Sequence, residues 1–449
     1  MTYICANCVQ DARLQALIRS ASTNENPCDY CERESSVDLY FVADKCDDVI
    51  DTFYEVSSQT MAVIVYDRLP EGKSLEATVA ELTGAPDSAV EAIVEVLQDL
   101  WYDKDSDEHQ YGEDPWFVPS YRMGSTLSAQ WEMIEASLRN EGRYLNPKVA
   151  AFMEMVFGGI RKDIAQDGKP VLVNAGPGTA YQTLYRARVF QNEKGLVEAL
   201  EHPERCLGAP PVGSGSSGRM NAAGQPAFYG ATDVDTALAE VRPVVGSWVV
   251  SAKFSIDRPL KLLDLRLLGK IKLAENLSVF DETTKAAAQR RDFLRDLCNE
   301  MVLPVMPEQQ EHSYLVTQVV ANYLATYPHI SIDGIIYPSV QRGVQESVDT
   351  GENVVLFYKA ATTSNADSEE PTAVAQLWLY EEDGPGRDFC PAIRFLEVKS
   401  APAWYQKQDS HIAPTLSLLK DSIQIHEVKS VQVTSDVSSV DVGENYFNR

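Results

Sequence analysis

The stretch GRMNAAGQPAFYGATDVDTALAE, residues 218–240, brings three chemically distinct side chains into one short unit. A turn rich in Gly, Asn and Pro separates Arg219 from Tyr229. A helix is predicted directly afterwards, because residues 232–233 offer capping side chains and apolar residues then recur at helical spacing. Glu240 falls inside that helix. A cation, an aromatic ring and a carboxylate held together suit a small anionic ligand with an aromatic ring, and a dinucleotide fits this description.

Four further segments accompany this stretch along the chain. Together with residues 218–240 they form an ordered set that resembles the RES domain, a family named for its arginine, glutamate and serine. The resemblance covers about residues 170–362 of the sequence. The four segments are LYRAR at 184–188, YLVTQ at 314–318, DGIIYPS at 333–339 and NVVLF at 353–357.

The resemblance implies an enzyme related to ADP-ribosyltransferases, with NAD+ as its substrate. Such an enzyme cleaves NAD+ at the bond between nicotinamide and ribose, by hydrolysis or by phosphorolysis. Proteins of this kind act as toxins because they deplete NAD+, so an antitoxin or another regulatory protein is an expected partner, and a homodimer is an expected assembly. Two alternatives stay open: ADP-ribose transfer to a macromolecule, and a non-enzymatic module that binds a nucleotide or a partner.

Four residues in these segments are candidate catalytic residues. Arg219 would contact phosphate or ribose, since a guanidinium matches phosphate oxygens, unless it is a salt-bridged loop arginine. Tyr229 would stack on nicotinamide or bond to the ribose, unless it is a core tyrosine. Glu240 would stabilise positive charge developing on the ribose, unless it is a solvated or ion-paired helix residue. Ser339 would bond to the nicotinamide amide or a ribose hydroxyl, unless it only caps a turn.

Two neighbouring residues on a preceding predicted strand are the candidate substrate-binding residues. Arg186 is expected to cradle phosphate, as the resemblance implies, and Tyr185 adjoins it. Strand alternation places Arg188 on the same face as Arg186, where two buried arginines would be costly without anions. We predict a surface or structural role for Arg188.

The cysteines indicate a metal site near the N-terminus. Four of the eight cysteines form two CxxC pairs with nineteen residues between them, and thiolates at this spacing can close a tetrahedral Zn2+ site. Residues 1–36 are too short to bury a core without such support. We therefore predict a zinc knuckle over 1–36 with a structural Zn2+, with four free thiols or a redox disulfide pair as alternatives. The proposed ligands are Cys5, Cys8, Cys28 and Cys31.

Residues 37–165 carry apolar residues at helical intervals, which predicts a helical regulatory domain. This part resembles the HEPN-like domain that precedes some RES domains. Catalytic HEPN ribonucleases carry an Arg-x4–6-His motif, and His109 has no arginine at that distance. We therefore expect a sensing or scaffolding role, and hypothesise that this region holds the site closed, as in a bacterial defence effector.

The composition disfavours some classes of binding partner. The net charge is −27, with 66 acidic and 39 basic residues, and such a chain repels nucleic acids and anionic membranes. No apolar run approaches the roughly 20 residues of a membrane helix, and the first residues lack a signal-peptide pattern. We therefore expect a cytoplasmic protein. No G-x-G-x-x-G joins a predicted strand to a helix, so a Rossmann site is not expected.

The predicted architecture is of the α+β class. A zinc knuckle and a helical domain precede a mixed-sheet RES domain at 170–362, which resembles ADP-ribosyltransferase folds. Strand-like segments within residues 363–434 predict a C-terminal extension of that domain, and residues 435–449 predict a polar tail.

Overall fold

The computed structural model divides the chain into two compact units. Unit 1 comprises Met1–Val171 and Leu267–Met301, and unit 2 comprises Leu172–Arg266 and Val302–Arg449. Both contain helices and strands, which confirms the α+β class. The residues that the structure describes are 2–22, 26–31, 33, 35–57, 70–112, 114–119, 126–141, 146–274, 278–303, 310–339, 351–380, 387–396, 413–432 and 437.

The described part of the chain contains twelve α-helices and eighteen strands. The helices are α1 (Ala12–Ala21), α2 (Leu39–Phe53), α3 (Leu75–Thr83), α4 (Asp87–Trp101), α5 (Thr126–Asn140), α6 (Pro147–Phe157), α7 (Glu193–Glu201), α8 (Pro203–Leu207), α9 (Val234–Glu240), α10 (Leu265–Leu268), α11 (Glu282–Val302) and α12 (Gln310–Thr326). The strands are β1 (Tyr3–Ile4), β2 (Val37–Asp38), β3 (Tyr54–Val56), β4 (Lys73–Ser74), β5 (Tyr102–Asp103), β6 (Glu108–His109), β7 (Trp116–Pro119), β8 (Leu172–Ala175), β9 (Thr183–Phe190), β10 (Phe228–Ala231), β11 (Trp248–Ile256), β12 (Leu260–Asp264), β13 (Gly334–Pro338), β14 (Glu352–Leu356), β15 (Ala373–Tyr380), β16 (Arg387–Phe395), β17 (Leu416–Leu418) and β18 (Gln424–Glu427).

Unit 1 is mainly helical, and its small sheets have two or three strands. Local chemistry explains where its first helix begins: the Asp11 carboxylate accepts hydrogen bonds from the backbone N–H groups of Arg13 and Leu14. Leu14 and Ile18, one turn apart, form the fully buried face of α1. The same alternation of buried and exposed positions recurs in α2 and α4, as the helical spacing of apolar residues predicted.

Helix α11 comes late in the sequence but packs in unit 1. The Phe293 ring on α11 lies 5.7 Å from the Trp131 ring and 5.4 Å from the Phe152 ring, measured between centroids. Arg290 on the same helix forms an ion pair with Asp163 at 2.6 Å. Segment 267–301, which falls within the expected RES range of 170–362, therefore completes the core of the N-terminal unit. Cutting the chain at residue 170 would expose the apolar face of α11.

Unit 2 is built around a nine-stranded mixed sheet. The strand order is β17-β11-β9-β10-β14-β13-β12-β8, and β18 also pairs with β11. The β12–β13 pair is parallel and the others are antiparallel. β17 and β18 lie within the expected 363–434 extension and join this sheet, whereas β15 and β16 form a separate hairpin. Of the expected polar tail, residues 435–436 and 438–449 lie outside the described residues.

The two faces of the sheet bury different neighbours. On one face, Phe228 and Phe254 pack in the larger core with Leu196 of α7. On the other face, Ala231 packs against Ala237 of α9. Because side chains alternate between the two faces of a strand, every second residue of each strand near α9 faces the smaller core between the sheet and this helix.

Candidate active site

The sheet opens between β9 and β10. These strands pair only at Ala231 and Tyr185, and beyond this point β9 continues along β11 while β10 continues along β14. The edge of β9 from Arg186 onward therefore has no strand beside it on the β10 side within the described residues. A cleft lies at the split, as expected where neighbouring strands diverge.

Glu240 is the last residue of α9, which runs beside the cleft. Asp233 caps this helix, with its carboxylate accepting from the Thr236 N–H at 2.8 Å, as the sequence predicted. Ser339 Oγ donates to Glu240 Oε1 at 3.0 Å, and Asn353 Nδ2 donates to the same oxygen at 2.7 Å. Both donors are buried, so they hold the carboxylate in one orientation.

Two tyrosines of the sheet lie near this carboxylate. Tyr337 of β13 pairs with Asn353 of β14, so the two side chains lie on the same face of the sheet. Burial, followed by the charge of Glu240, raises the pKa of the Tyr337 phenol, and the charge of Arg219 opposes this shift. Burial also raises the pKa of Tyr229, to about 12, with opposing contributions that include Arg219. Both phenols are therefore neutral at physiological pH, and Arg219 lies close enough to act on both.

The turn that carries Arg219 is tied to the hydroxyl of Tyr229. This hydroxyl donates to Asn221 Oδ1 at 2.8 Å and accepts from the Met220 N–H at 3.0 Å. A Cβ atom on Gly218 would lie 2.6 Å from the same hydroxyl, so only glycine permits the close approach. Since the hydroxyl is used within the protein, the ring is the part of Tyr229 that is left to contact a ligand.

Helix α12 donates two hydrogen bonds to the same turn. Thr317 Oγ1 donates to the Arg219 carbonyl at 2.5 Å, and Gln318 Nε2 donates to the Gly218 carbonyl at 2.8 Å. The Arg219 guanidinium lies 5.7 Å from the centre of the Tyr314 ring, a cation–π contact from the same helix. These contacts hold residues 218–221 against residues 314–318, although the two segments are far apart in sequence.

Arg186 and Arg188 are cations on the opposite face of β9 from Tyr185. The Arg186 side chain is only 7% exposed, lies 4.8 Å from the Phe228 ring centre and donates to the Tyr229 carbonyl at 3.4 Å. Burial, and then the charge of Arg188, lowers the pKa of Arg186 well below its usual value. Arg188 donates to the Gly208 carbonyl, while its buried Nε has no hydrogen-bond partner in the described part of the chain. Within the described residues neither guanidinium pairs with a carboxylate.

The cleft has a volume of about 740 Å³, within the roughly 300–1,000 Å³ typical of small-molecule sites. Four of the sequence-predicted residues line it, whereas Ser339 reaches it through Glu240, and Arg219 lies beside the lining residue Tyr229. Tyr337 and Asn353 also line it and were not among the predicted site residues. Asn353 could have been recognised from the sequence, because it is the one polar residue in the otherwise apolar segment 353–357. The four predicted lining residues are Tyr185, Arg186, Tyr229 and Glu240.

The four N-terminal cysteines form a second chemical cluster, in unit 1. All four Sγ atoms lie within 4.8 Å of one another. The Cys5–Cys8 and Cys8–Cys28 sulfur distances are both 3.8 Å, and the Cys5–Cys31 distance is 3.4 Å. Tetrahedral Zn2+ with Zn–S bonds of about 2.3 Å separates its sulfurs by about 3.8 Å. The four thiols are free and could bind zinc.

The residues that form the cleft lie in a region that matches a known protein family. Residues 183–378 match the family model of the RES domain. A search of curated proteins and a search of solved structures returned no match. Among the helices of the described residues, none is both long enough and apolar enough to span a membrane.

Proposed function

Since residues 183–378 form a RES domain, a toxin-like and NAD-related module, we propose that the cleft cleaves NAD+ at its nicotinamide–ribose bond. The C1′–N bond would break with its electron pair passing to the nicotinamide ring. An acceptor oxygen, from water or phosphate, would then bond to C1′ and release any proton it carries to solvent. The products would be nicotinamide and ADP-ribose or its 1″-phosphate.

The position of Glu240 supports this reaction most directly. Cleavage builds positive charge on the ribose, so a fixed carboxylate stabilises the transition state more than the ground state. Ser339 and Asn353 both donate to Oε1. No described residue donates to Oε2, which would accept from a ribose hydroxyl or face the developing charge. Ser339 would therefore orient the carboxylate, a different role from the direct substrate contact expected from the sequence.

The buried arginines support an anionic substrate. A guanidinium removed from water without a carboxylate partner is costly, and a bound anion offsets this cost. Arg186 and Arg188 both line the cleft, and neither guanidinium pairs with a carboxylate among the described residues. The diphosphate of NAD+ carries two negative charges and suits this wall, while Arg219 would contact phosphate or ribose from the turn.

Aromatic rings would hold the nicotinamide. The Tyr229 ring remains for stacking because its hydroxyl is bonded within the turn. Tyr185 lies on the other side of the split, 5.1 Å from the Lys253 ammonium. Both tyrosines line the cleft, so a planar group bound there would contact their rings.

We further propose that Zn2+ is structural in this protein. The four cysteines would bind it and stabilise residues 1–36, whose buried apolar side chains pack into the shared core of unit 1 and not into a core of their own. NAD+ depletion would stop growth, so we propose that an antitoxin or regulatory partner, or unit 1 itself, restrains the enzyme.

The test is incubation of the full-length protein with NAD+, with and without phosphate. Nicotinamide and the ADP-ribose product are separated by chromatography, and the second product identifies the acceptor. We expect release from the wild type and its loss in Glu240→Gln and Arg219→Ala. Asp235→Asn, an exposed change on the same helix, is the matched control.

Three results would count against hydrolysis or phosphorolysis that depends on Glu240. Label from adenine-labelled NAD+ on protein or nucleic acid would indicate ADP-ribosyl transfer. Tight NAD+ binding without turnover would indicate a binding module. Turnover that survives Glu240→Gln would place the chemistry elsewhere.

A further inference from the structure

Unit 2 contains a second cavity, of about 660 Å³. One wall is formed by residues 209–212 and 224–226, the two ends of the segment that carries Arg219. The opposite wall is formed by the end of α12 and by residues 358–367. None of its lining residues lines the active-site cleft. The lining residues are Ala209, Pro210, Pro211, Val212, Gly224, Gln225, Pro226, Asn322, Thr326, Tyr358, Ala361, Thr362, Thr363, Ala366 and Asp367.

One buried polar group lies in the cavity wall. Thr363 is 4% exposed, and its Oγ1 has no hydrogen-bond partner among the described residues. An unsatisfied buried hydroxyl costs about 1–3 kcal/mol. The Oγ1 atom has almost no accessible surface of its own, so a ligand would bond to it only after a small movement of the wall.

The walls restrict the ligand to an uncharged ring compound. Asp367 is the only charged residue among the described lining residues, and it is exposed. An anion would therefore find no cation to pair with, and a cation would gain only a weak attraction screened by solvent. Three prolines and Tyr358 supply rigid, flat apolar surfaces, which lose little conformational entropy on binding. Amide groups of Gln225 and Asn322 are available at the edge for further hydrogen bonds.

A continuous hydrogen-bond path joins this cavity to the active-site turn. Gly224 bonds to Gly213 and Gly215 across the segment, at 2.8 and 2.7 Å. Asn221 Nδ2 donates to the Gln225 carbonyl at 3.0 Å, and Asn221 Oδ1 accepts from the Tyr229 hydroxyl at 2.8 Å. One asparagine therefore contacts both the cavity wall and the tyrosine of the cleft.

Helix α12 provides a second physical connection. Thr317 and Gln318 support the Arg219 turn, and Asn322 and Thr326 line the cavity on the following turns of the same helix. A ligand between α12 and residues 209–226 would touch both elements that position Arg219.

We propose that this cavity binds a small uncharged ring compound, and that its occupancy changes the position or mobility of the 218–221 turn. The effect on NAD+ rests on the function proposed above; the binding itself does not. Because coupling between two sites is reciprocal, NAD+ would change the affinity of the cavity ligand by the same factor.

The probe for this site is indole, with indole-3-acetate as its anionic counterpart. Binding to the full-length protein is measured by saturation-transfer NMR, and deuterium exchange is followed over residues 209–226. We expect indole to bind at least tenfold more tightly than indole-3-acetate and to slow exchange in this segment. Thr326→Trp, an exposed position on the cavity wall, should abolish indole binding, whereas the nearby exposed variant His329→Trp should retain it.

The outcomes separate this proposal from the enzymatic one. Absent indole binding, or equal binding to Thr326→Trp, would overturn the site. Indole binding without altered exchange in 209–226 would overturn the coupling. If indole binds and slows exchange but NAD+ is neither bound nor cleaved, the cavity stands and the proposed function fails. If NAD+ binds, saturating indole should change its Kd at least threefold.

Discussion

The cysteine cluster of unit 1 and the cleft of unit 2 are opposite electrostatic arrangements. The cluster brings four potential thiolates within 4.8 Å of one another, and only a cation can hold them there in charged form. The cleft buries two arginines without a carboxylate partner among the described residues, and an anion would satisfy them. The two sites therefore suit ligands of opposite charge, a cation at the cysteine cluster and an anion at the cleft.

The two sites differ in how they are assembled. Two CxxC pairs within the first 31 residues supply every ligand of the cluster. The cleft instead combines β9, α7, α8, β10, α9, β13 and β14, with lining residues from Tyr185 to Asn353. Substitution of one of the four cysteines should therefore affect local folding. Substitution of a residue that lines the cleft should affect substrate binding or catalysis more than folding.

The largest expected effect is loss of the metal. Cys8→Ser should lose one zinc per chain and unfold residues 1–36, because structural Zn2+ contributes on the order of 10 kcal/mol in zinc-finger peptides. Metal content by mass spectrometry and thermal unfolding test this prediction. Cys390→Ser, which removes an exposed thiol, should change neither. A Cys8→Ser protein that keeps its zinc would disprove the four-cysteine site.

Removal of the carboxylate charge should have the next largest effect. Glu240→Gln should lower kcat by about 100- to 1,000-fold, since a group that stabilises transition-state charge contributes about 3–4 kcal/mol. The Kd for NAD+ should change little. Asp235→Asn is the control, and a fall in binding as large as the fall in kcat would assign Glu240 to ground-state binding instead.

Replacement of Arg186 should separate binding from stability. Arg186→Met should weaken NAD+ binding by about 10- to 100-fold, because a charge-assisted hydrogen bond contributes about 1.5–3 kcal/mol. The same variant without ligand should be at least as stable as the wild type, since a buried unpaired cation is removed. Calorimetry gives both values, with exposed Arg205→Met as control. A destabilised variant with unchanged NAD+ affinity would make Arg186 a structural residue.

The smallest expected effect concerns the orientation of Glu240. Ser339→Ala should lower kcat by about tenfold, because Asn353 still donates to Oε1 and one hydrogen bond to a charged group contributes about 1.5–3 kcal/mol. Asn353→Asp should be worse, since it replaces a donor with a like charge. Steady-state kinetics on both variants test the order, and a Ser339→Ala activity equal to that of the wild type would show that Oε1 needs no second donor.

Much of the local structure could be predicted from the sequence. The helix after Tyr229, its cap at Asp233 and the strands around residues 335 and 355 follow from capping and apolar patterns that act over a few residues. Contacts across the sheet could not be predicted in this way. Asn353 donates to a carboxylate 113 residues earlier in the chain, and no local pattern records that distance.

The sequence by itself determined the cysteine spacing, the α+β class and the set of side chains characteristic of the RES domain. Only the tertiary structure decided that Arg186 contacts the Phe228 ring, that the Tyr229 hydroxyl is bonded within the Arg219 turn, and that α11 packs in unit 1. The physical reason is that short-range spacing sets which residues share a helix or strand face. The pairing of strands and the burial of helices depend on the whole core.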